Sequence, residues 1–459
     1  MILTKDKSFY KTLVALAIPI ALQNLVTFCV GLLDNVMIGT LGDTAISGVF
    51  MGNQIQTLLQ MFSGGIEGAI LVLAAQYWGR RDTASIKKII AIGVKFTVLF
   101  GALLSIVCIA APSAVLSLFT DEQSVIESGT QYLRTVAFSY IFFAITQSLI
   151  AAMRSVETAR IGLYVSLISL ITNAALNYVL IFGKFGAPAL GIQGAAIATL
   201  ISRLLECAAM LVYIFVFDKK LALKFKELLP TDKILLRDFI KYGTPIIAGQ
   251  LVWAVNTLSN SAIMGRQSAP GVVAALSITL TLHNLAYVVM NGMANAVGII
   301  TGKTIGKGDE ELMREYAKTT QIIFLALGLV TGGALFLLRD PYISIYNVSP
   351  EAVIEARALI NVICVTIVGT CYQAACLFGL VKSGGDVSFV FKNDCIFVFL
   401  IVLPSALIAA RLGAAPWVVF ACLKCDQILK CFVAVVKINR FKWMKNLTRG
   451  ATSEENGIS

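Results

Sequence analysis

Long apolar runs dominate this chain, and its polar residues gather in short breaks between them. Runs long enough to cross a bilayer, about 20 residues each, fall near 13–40, 45–77, 89–111, 129–153, 161–183, 190–217, 238–265, 272–303, 319–338, 353–381, 390–410 and 416–437. The pattern predicts an all-α polytopic membrane protein with twelve transmembrane helices. The second and eighth windows are long and contain glycines, which predicts tilt or kinks there.

Composition sharpens this reading. Of 459 residues, 58% are hydrophobic and only 14% are charged, against about a quarter charged in a soluble protein. That excludes a water-soluble globule. The net charge of +11 does not point to nucleic acid, because the basic residues sit in short loops between apolar spans. Lys5, Lys7 and Lys11 precede span 1; Arg80, Arg81, Lys87 and Lys88 follow span 2; Arg154 and Arg160 follow span 4. Further clusters follow spans 6, 8 and 10, and the tail KINRFKWMKNLTR is basic again. The alternate loops hold Asp43, Asp121, Glu122 and Glu127. The excess of lysine and arginine on one side places both termini in the cytoplasm of a multi-pass plasma-membrane protein, bacterial by expectation.

The opening MILTKDKSFYK leads into an apolar run without a small-residue cleavage site, so it reads as a retained first span. The ten cysteines fall almost entirely in apolar segments. The lone CxxC of Cys422 and Cys425 has no second ligand pair and reads as buried small hydrophobes.

The chain also repeats itself. IPIALQNLVTFCVGLLDNVMIG opens span 1 and TPIIAGQLVWAVNTLSNSAIMG opens span 7. At one constant offset, Pro19 matches Pro245, Asp34 matches Asn260 and Gly39 matches Gly265. WGRRD (78–82) matches IGKGD (305–309), and MRSVETA (153–159) matches VKSGGDV (381–387). Proline, glycine and charged landmarks coincide, not leucines alone. The expected organisation is a six-helix lobe over 1–217, a basic cytoplasmic linker over 218–237, a second six-helix lobe over 238–437 and a basic cytoplasmic tail over 438–459. Both copies start on the same side, so the repeat is parallel, with a cavity expected between the lobes. No GxxxxGKS phosphate loop occurs, which leaves an ion gradient as the energy source.

With these motifs assembled, the chain resembles the multidrug and toxic compound extrusion (MATE) family from about Leu16 to Thr448. The resemblance rests on DNVMIGTLG from Asp34, AQYWGRRD after span 2, AAMRSVETAR after span 4, NAALNYVLIFG from Asn173, GIQGAAIAT in span 6 and LVKSGGD after span 10. It implies twelve helices in two lobes and export of organic, often cationic, compounds against inflow of protons or sodium ions. The wider superfamily of similar fold includes flippases of lipid-linked sugars.

Asp34 lies in a stretch otherwise fit for hydrocarbon. A carboxylate at a bilayer centre costs about 2.5–3.5 kcal/mol on insertion scales, and binding a proton or a sodium ion removes the isolated charge. The alternative is an interfacial aspartate, because Asp34 stands near the end of its span. The resemblance implies that the key acid of the family sits at this position. Asn173 and Asn177 are four apart and share a face of span 5, while Thr199 adds a hydroxyl from span 6. Such oxygens form the hard ligand set of a small cation, although asparagines also serve helix–helix hydrogen bonds. In some members the resemblance implies a second carboxylate where this chain carries Asn177. The second lobe has neutral Asn260 opposite Asp34, and its spans 7 and 10 carry carboxylates only near their ends, at Asp238 and Glu355, so cation coupling is assigned to the N-terminal lobe.

The other polar positions have secondary roles. Arg203 and Glu206, three apart, are expected to pair on one helix face, and Asp426 to form a comparable structural pair beside Lys424 and Lys430. Asp394, with Lys392, is expected to reach the interface at its span end. Glu67, with no basic neighbour on its own helix, is a candidate for the substrate cavity, together with Gln54, Gln147, Gln250, Tyr287, Asn291 and Gln373. His283 and Tyr140 also fall in spans.

The expected function is a secondary antiporter, not an enzyme, that exports organic compounds in exchange for H+ or Na+. It needs no cofactor, no metal beyond a possible sodium ion at Asp34, and no nucleic acid. Its partners are small organic substrates and the lipid bilayer, and it is expected to be a monomer. The first rival is a flippase of a lipid-linked precursor, which would need a cluster of arginine or lysine at mid-membrane. A membrane enzyme would need motifs such as HExxH or GxSxG, and neither occurs.

Overall fold

The computed structural model describes residues 3–267, 270–346 and 348–449. The last ten positions of the expected tail lie outside the described residues. The helices, in chain order, are α1 (Lys7–Gly39), α2 (Asp43–Gly79), α3 (Thr83–Ala110), α4 (Pro112–Leu116), α5 (Gln123–Val136), α6 (Ser139–Ser155), α7 (Arg160–Phe182) and α8 (Ile192–Val212). The second half contains α9 (Lys233–Gly265), α10 (Val272–Lys307), α11 (Glu310–Ile343), α12 (Pro350–Gln373), α13 (Val387–Ile396), α14 (Leu403–Arg411), α15 (Pro416–Lys424) and α16 (Asp426–Asn439). Stretches of π-helix extend α8 over Tyr213–Phe217 and α12 over Ala374–Lys382, and a third joins α13 to α14 over Phe397–Val402. Among the described residues nine helices are long and apolar enough to cross a bilayer. The pair α5–α6 supplies a further span, bent by 53°. With α9 and the broken pair α15–α16, the expected twelve spans are all helical.

The repeat recurs as structure. Asp82 caps α3 by accepting the Ser85 N–H, and Asp309, its counterpart, caps α11 by accepting the Leu312 N–H. The residue before each cap takes a left-handed backbone: Arg81 at φ 59° and Gly308 at φ 80°. Asp satisfies an orphan amide at a helix start, so two copies of one helix–turn–helix follow from two copies of one short motif.

The chain divides into two compact units. Leu22–Ala74 and Asp82–Gly243 form one; Thr244 onward forms the other, together with Ala75–Arg81 and the first part of α1 up to Ala21. In the first unit, Ile38, Val49, Leu59, Leu133, Tyr140 and Ala196 belong to one buried apolar cluster. In the second, Met264, Ile360, Ile363, Phe420 and Leu423 do so. These helices show many apolar residues on their outer faces, such as Leu103, Ile106, Leu329 and Val330, as chains solvated by lipid do.

The segment after α16 is stitched into the second unit. Trp443 is fully buried, its Nε1–H donates to the Ile438 carbonyl at 3.0 Å, and its ring covers Gly384, where a Cβ would meet it at 2.3 Å. The Gln76 amide donates to the carbonyls of Ser383 and Lys445, and its Oε1 accepts the Leu447 N–H at 2.7 Å. Lys437 and Lys445 hold Asp386 at 2.6 and 2.8 Å.

Candidate functional site

The centre of interest lies within the first unit, where α1, α5, α7 and α8 each contribute polar side chains. Asp34 is half-buried near the end of α1. The Nδ2–H of Asn177 donates to the Asp34 carboxylate, and the same nitrogen contacts Asn173 Oδ1 at 3.1 Å. Asn173 Nδ2 in turn reaches Thr199 Oγ1 at 3.5 Å. Asn173 and Asn177 are almost wholly inaccessible, at 1% and 0% exposure. The four residues expected to cooperate are therefore brought together, and Asp34 contacts the fifth-span amides.

Each position follows from local sequence. Spacing by four puts both asparagines on one face of α7. A left-handed Gly183 ends that helix. Gly194 lets α8 come close enough that a Cβ there would stand 2.5 Å from the Leu180 carbonyl. α7 and α8 thus meet tightly, and Thr199 is delivered to Asn173.

One acceptor remains open. Asn177 Oδ1 is buried and, among the described residues, has no hydrogen-bond partner. A buried polar atom in this state is costly unless a ligand satisfies it. The available donor set is therefore the Asp34 carboxylate, the Asn177 carbonyl oxygen and the Thr199 hydroxyl. This set of hard oxygens fits a small monovalent cation, and the carboxylate equally fits a proton.

Two neighbours were not recognised from sequence. Tyr132 on α5 is buried, lies within electrostatic reach of Asp34, and donates its OH to Asn53 Oδ1 at 3.1 Å. Arg203 also acts on Asp34 through its charge. Arg203 and Glu206 form the expected pair at 2.7 Å, and the guanidinium lies 5.1 Å from the centre of the Phe143 ring. The amphipathic pattern of α5 could have pointed to Tyr132, since it lies on the buried face with Val125, Gly129 and Leu133.

A second polar centre in the same unit concerns Glu67. Its basic partner is on another helix: Arg154 approaches Glu67 at 3.9 Å and donates to Gln23 Oε1 at 2.8 Å. Glu67 is therefore not an isolated acid. Of the other cavity candidates, Gln54 and Gln147 are half-buried in this unit, and Gln250, Tyr287 and Asn291 are half-buried in the other. Gln373 is 5% exposed and donates to Gln427, which also accepts the Thr370 hydroxyl, so it ties α12 to α16.

Asp426 has the expected lysine partner, Lys430, but the expectation for Asp394 needs correction. Asp394 does not pair with Lys392; Lys430 bridges Asp394 Oδ1 at 2.9 Å and Asp426 Oδ2 at 3.0 Å. Lys430 is buried, and an ammonium in that position needs two acceptors more than Asp394 needs the interface.

Comparison with known proteins decides the family. Residues 19–179 and again 245–408 match the MatE family profile. The chain belongs to the MatE family. Each matched stretch covers most of one half, so the internal repeat coincides with two copies of the family unit. This MATE-type transporter is 24% identical over 354 residues to "Probable multidrug resistance protein NorM" of Thermotoga maritima, covering 77% of this chain and 75% of that one. It is 25% identical over 428 residues to "Uncharacterized transporter YisQ" of Bacillus subtilis, covering 90% and 91%. Its fold is similar to that of a mutant form of the Vibrio cholerae MATE transporter VcmN, with a TM-score of 0.85 at 16% identity over 94% of this chain and 97% of that one. The chain is thus a multi-pass membrane transporter of two six-helix lobes.

Proposed function

We propose that this transporter exports organic compounds from the cytoplasm in exchange for an inward-moving proton or sodium ion bound at Asp34. The observation that carries the reading is the polar cluster of α1 and α7, in which Asp34 accepts from Asn177 while the buried Oδ1 of Asn177 lacks a donor among the described residues. A cation arriving there neutralises the carboxylate and satisfies the open oxygen in one event. Asn173 and Thr199 orient the Asn177 amide and complete the oxygen set.

Binding must favour one arrangement of the lobe helices over another, because a ligand shifts an equilibrium only by its differential affinity. Linkage then requires that cargo and cation weaken each other if they favour opposite states. The proposed cation site has one carboxylate, so one positive charge per cycle is its natural load. The basic loops support an orientation with both termini in the cytoplasm of a bacterial plasma membrane. The drug-resistance names of relatives support export of organic molecules, and the chain is read as a monomer of two lobes joined by 218–237.

The test is transport by the full chain in proteoliposomes under imposed pH or sodium gradients, comparing the native protein with Asp34→Asn. Gradient-driven export that disappears in the variant supports the reading, and the gradient that works identifies the ion. Equal gradient-driven transport by both proteins overturns it.

A further inference from the structure

The buried charges of the second unit do not balance. Lys382, Lys424 and Lys430 face Asp394 and Asp426, and the two aspartates are already committed. Lys430 spans both, and Asp426 gives its other oxygen to the Gln427 amide at 3.0 Å. Lys424 lies within electrostatic reach of Asp426, yet among the described residues no carboxylate comes within ion-pair distance of its amino group. Its amino group lies over the face of Phe420, 5.8 Å from the ring centre.

Position makes this unusual. Lys424 is half-buried at the junction of α15 and α16. At 1.5 Å per residue it stands roughly 12 Å from one end of that span and roughly 22 Å from the other. A lysine so deep cannot reach both interfaces, and an ionisable group held inside a membrane without a partner marks a functional position.

The helix facing this cluster is polar in a particular way. His283, Tyr287, Asn291 and Asn295 repeat every four residues along α10, and all four are half-buried. The His283 and Tyr287 rings are stacked at 6.1 Å, and His283 lies in the field of Lys424. This stripe offers hydrogen bonds and aromatic faces, and none of its members is an acid. Among the described residues, Lys424 thus stands deep in its span with no carboxylate within ion-pair distance, whereas Lys382, which also lacks an ion pair, ends its helix, and the α10 stripe beside Lys424 carries no acid.

We propose that Lys424 binds the anionic group of the cargo, which makes the cargo an amphipathic organic carboxylate. An ammonium–carboxylate contact at this depth gains strength from low dielectric, and the apolar part of the molecule would lie against the half-buried α10 stripe. The inference rests on the transport reading above, but its test needs no gradient and no coupling at Asp34, so the two can fail separately.

The experiment is equilibrium binding to the full chain in nanodiscs of zwitterionic lipid, using the matched probes 2-naphthoate and 2-naphthylmethylammonium. The native protein should bind naphthoate saturably and more tightly than the ammonium probe. Lys424→Gln should weaken naphthoate binding about tenfold or more, the weight of one charge-assisted hydrogen bond, while Lys424→Arg keeps most of it. Arginine retention separates a binding role from a packing role, because the bulkier side chain preserves charge and not shape. Equal naphthoate binding by native protein and Lys424→Gln, absence of saturable naphthoate binding, or preference for the ammonium probe overturns the proposal. Displacement of bound naphthoate by phosphatidylglycerol at low mole fraction, lost in Lys424→Gln, reassigns the site to a lipid headgroup and overturns a soluble cargo.

Discussion

The side-chain amide of Asn177 on α7 donates to the carboxylate of Asp34 on α1. These residues are far apart in sequence, and the contact joins the first and fifth spans of one lobe. A hydrogen bond to a charged group contributes about 1.5–3 kcal/mol. The Asn177→Ala variant removes the open oxygen that would ligate a sodium ion, and should weaken sodium about tenfold or more; a proton, which needs no such ligand, should not be weakened. The cation dependence of transport in proteoliposomes measures it, and an unchanged half-saturation point for sodium contradicts a role for Asn177 as its ligand.

Arg154, Glu67 and Gln23 supply a second prediction, about stability. Removing one partner of a buried pair leaves an uncompensated charge, which costs about 3–5 kcal/mol, whereas replacing both by apolar residues of similar size is often neutral. Arg154→Met alone should lower the unfolding temperature in detergent strongly. The double change Arg154→Met with Glu67→Leu should recover much of the loss. Additive effects of the two changes would show that the 3.9 Å approach carries no coupling.

Much of this molecule was legible as pattern. The helical period shows which residues share a face, so Asn173 with Asn177 and Arg203 with Glu206 could be read directly. Landmarks repeated at one offset revealed the two halves, and Asp82 and Asp309 prove to cap equivalent helices. What sequence could not show are partners contributed by other helices. Glu67 looked isolated because Arg154 stands on another span, and Asp394 was placed at the interface because its partner, Lys430, lies on α16, three helices further along the chain. The 53° bend between α5 and α6 also left no mark, since neither proline nor glycine occupies the break at Ala137 and Phe138.

The crossing of α2 and α10 yields a third prediction. Gly306 lies against the Gln76 carbonyl so closely that a Cβ would stand 1.8 Å from that oxygen, and a Cβ on Gly79 would stand 2.1 Å from the Lys303 carbonyl oxygen. Both obstacles are backbone, which cannot swing aside. Gly306→Ala must separate the helices and disturb the Gln76 bonds to Ser383, Lys445 and Leu447. Overpacking of this kind costs about 1–3 kcal/mol or more. Thermal unfolding should show the loss in Gly306→Ala, while alanine at Gly333, which has open space around it, should be nearly neutral.

The last prediction concerns acid sensitivity at the tail clasp. Asp386 stands between two spans, outside both. Burial alone would push its carboxyl up, but hydrogen bonds and charge from Lys437 and Lys445 outweigh that and hold it below the ordinary carboxylate value. A carboxyl lowered on folding stabilises the folded chain above its unfolded pKa, about 3.9, and loses that contribution as pH falls through the lower folded value. Asp386→Asn should therefore cost about 1–2 kcal/mol near pH 7, on the scale of charge-assisted bonds discounted for the exposed Lys445. The gap between native and variant should narrow as pH drops below 4, because the native carboxyl is then being protonated too. Unfolding temperatures of both proteins across that range measure the gap. A difference that stays constant from neutral to acid pH would mean that Asp386 acts through packing, not through its charge on Lys437 and Lys445.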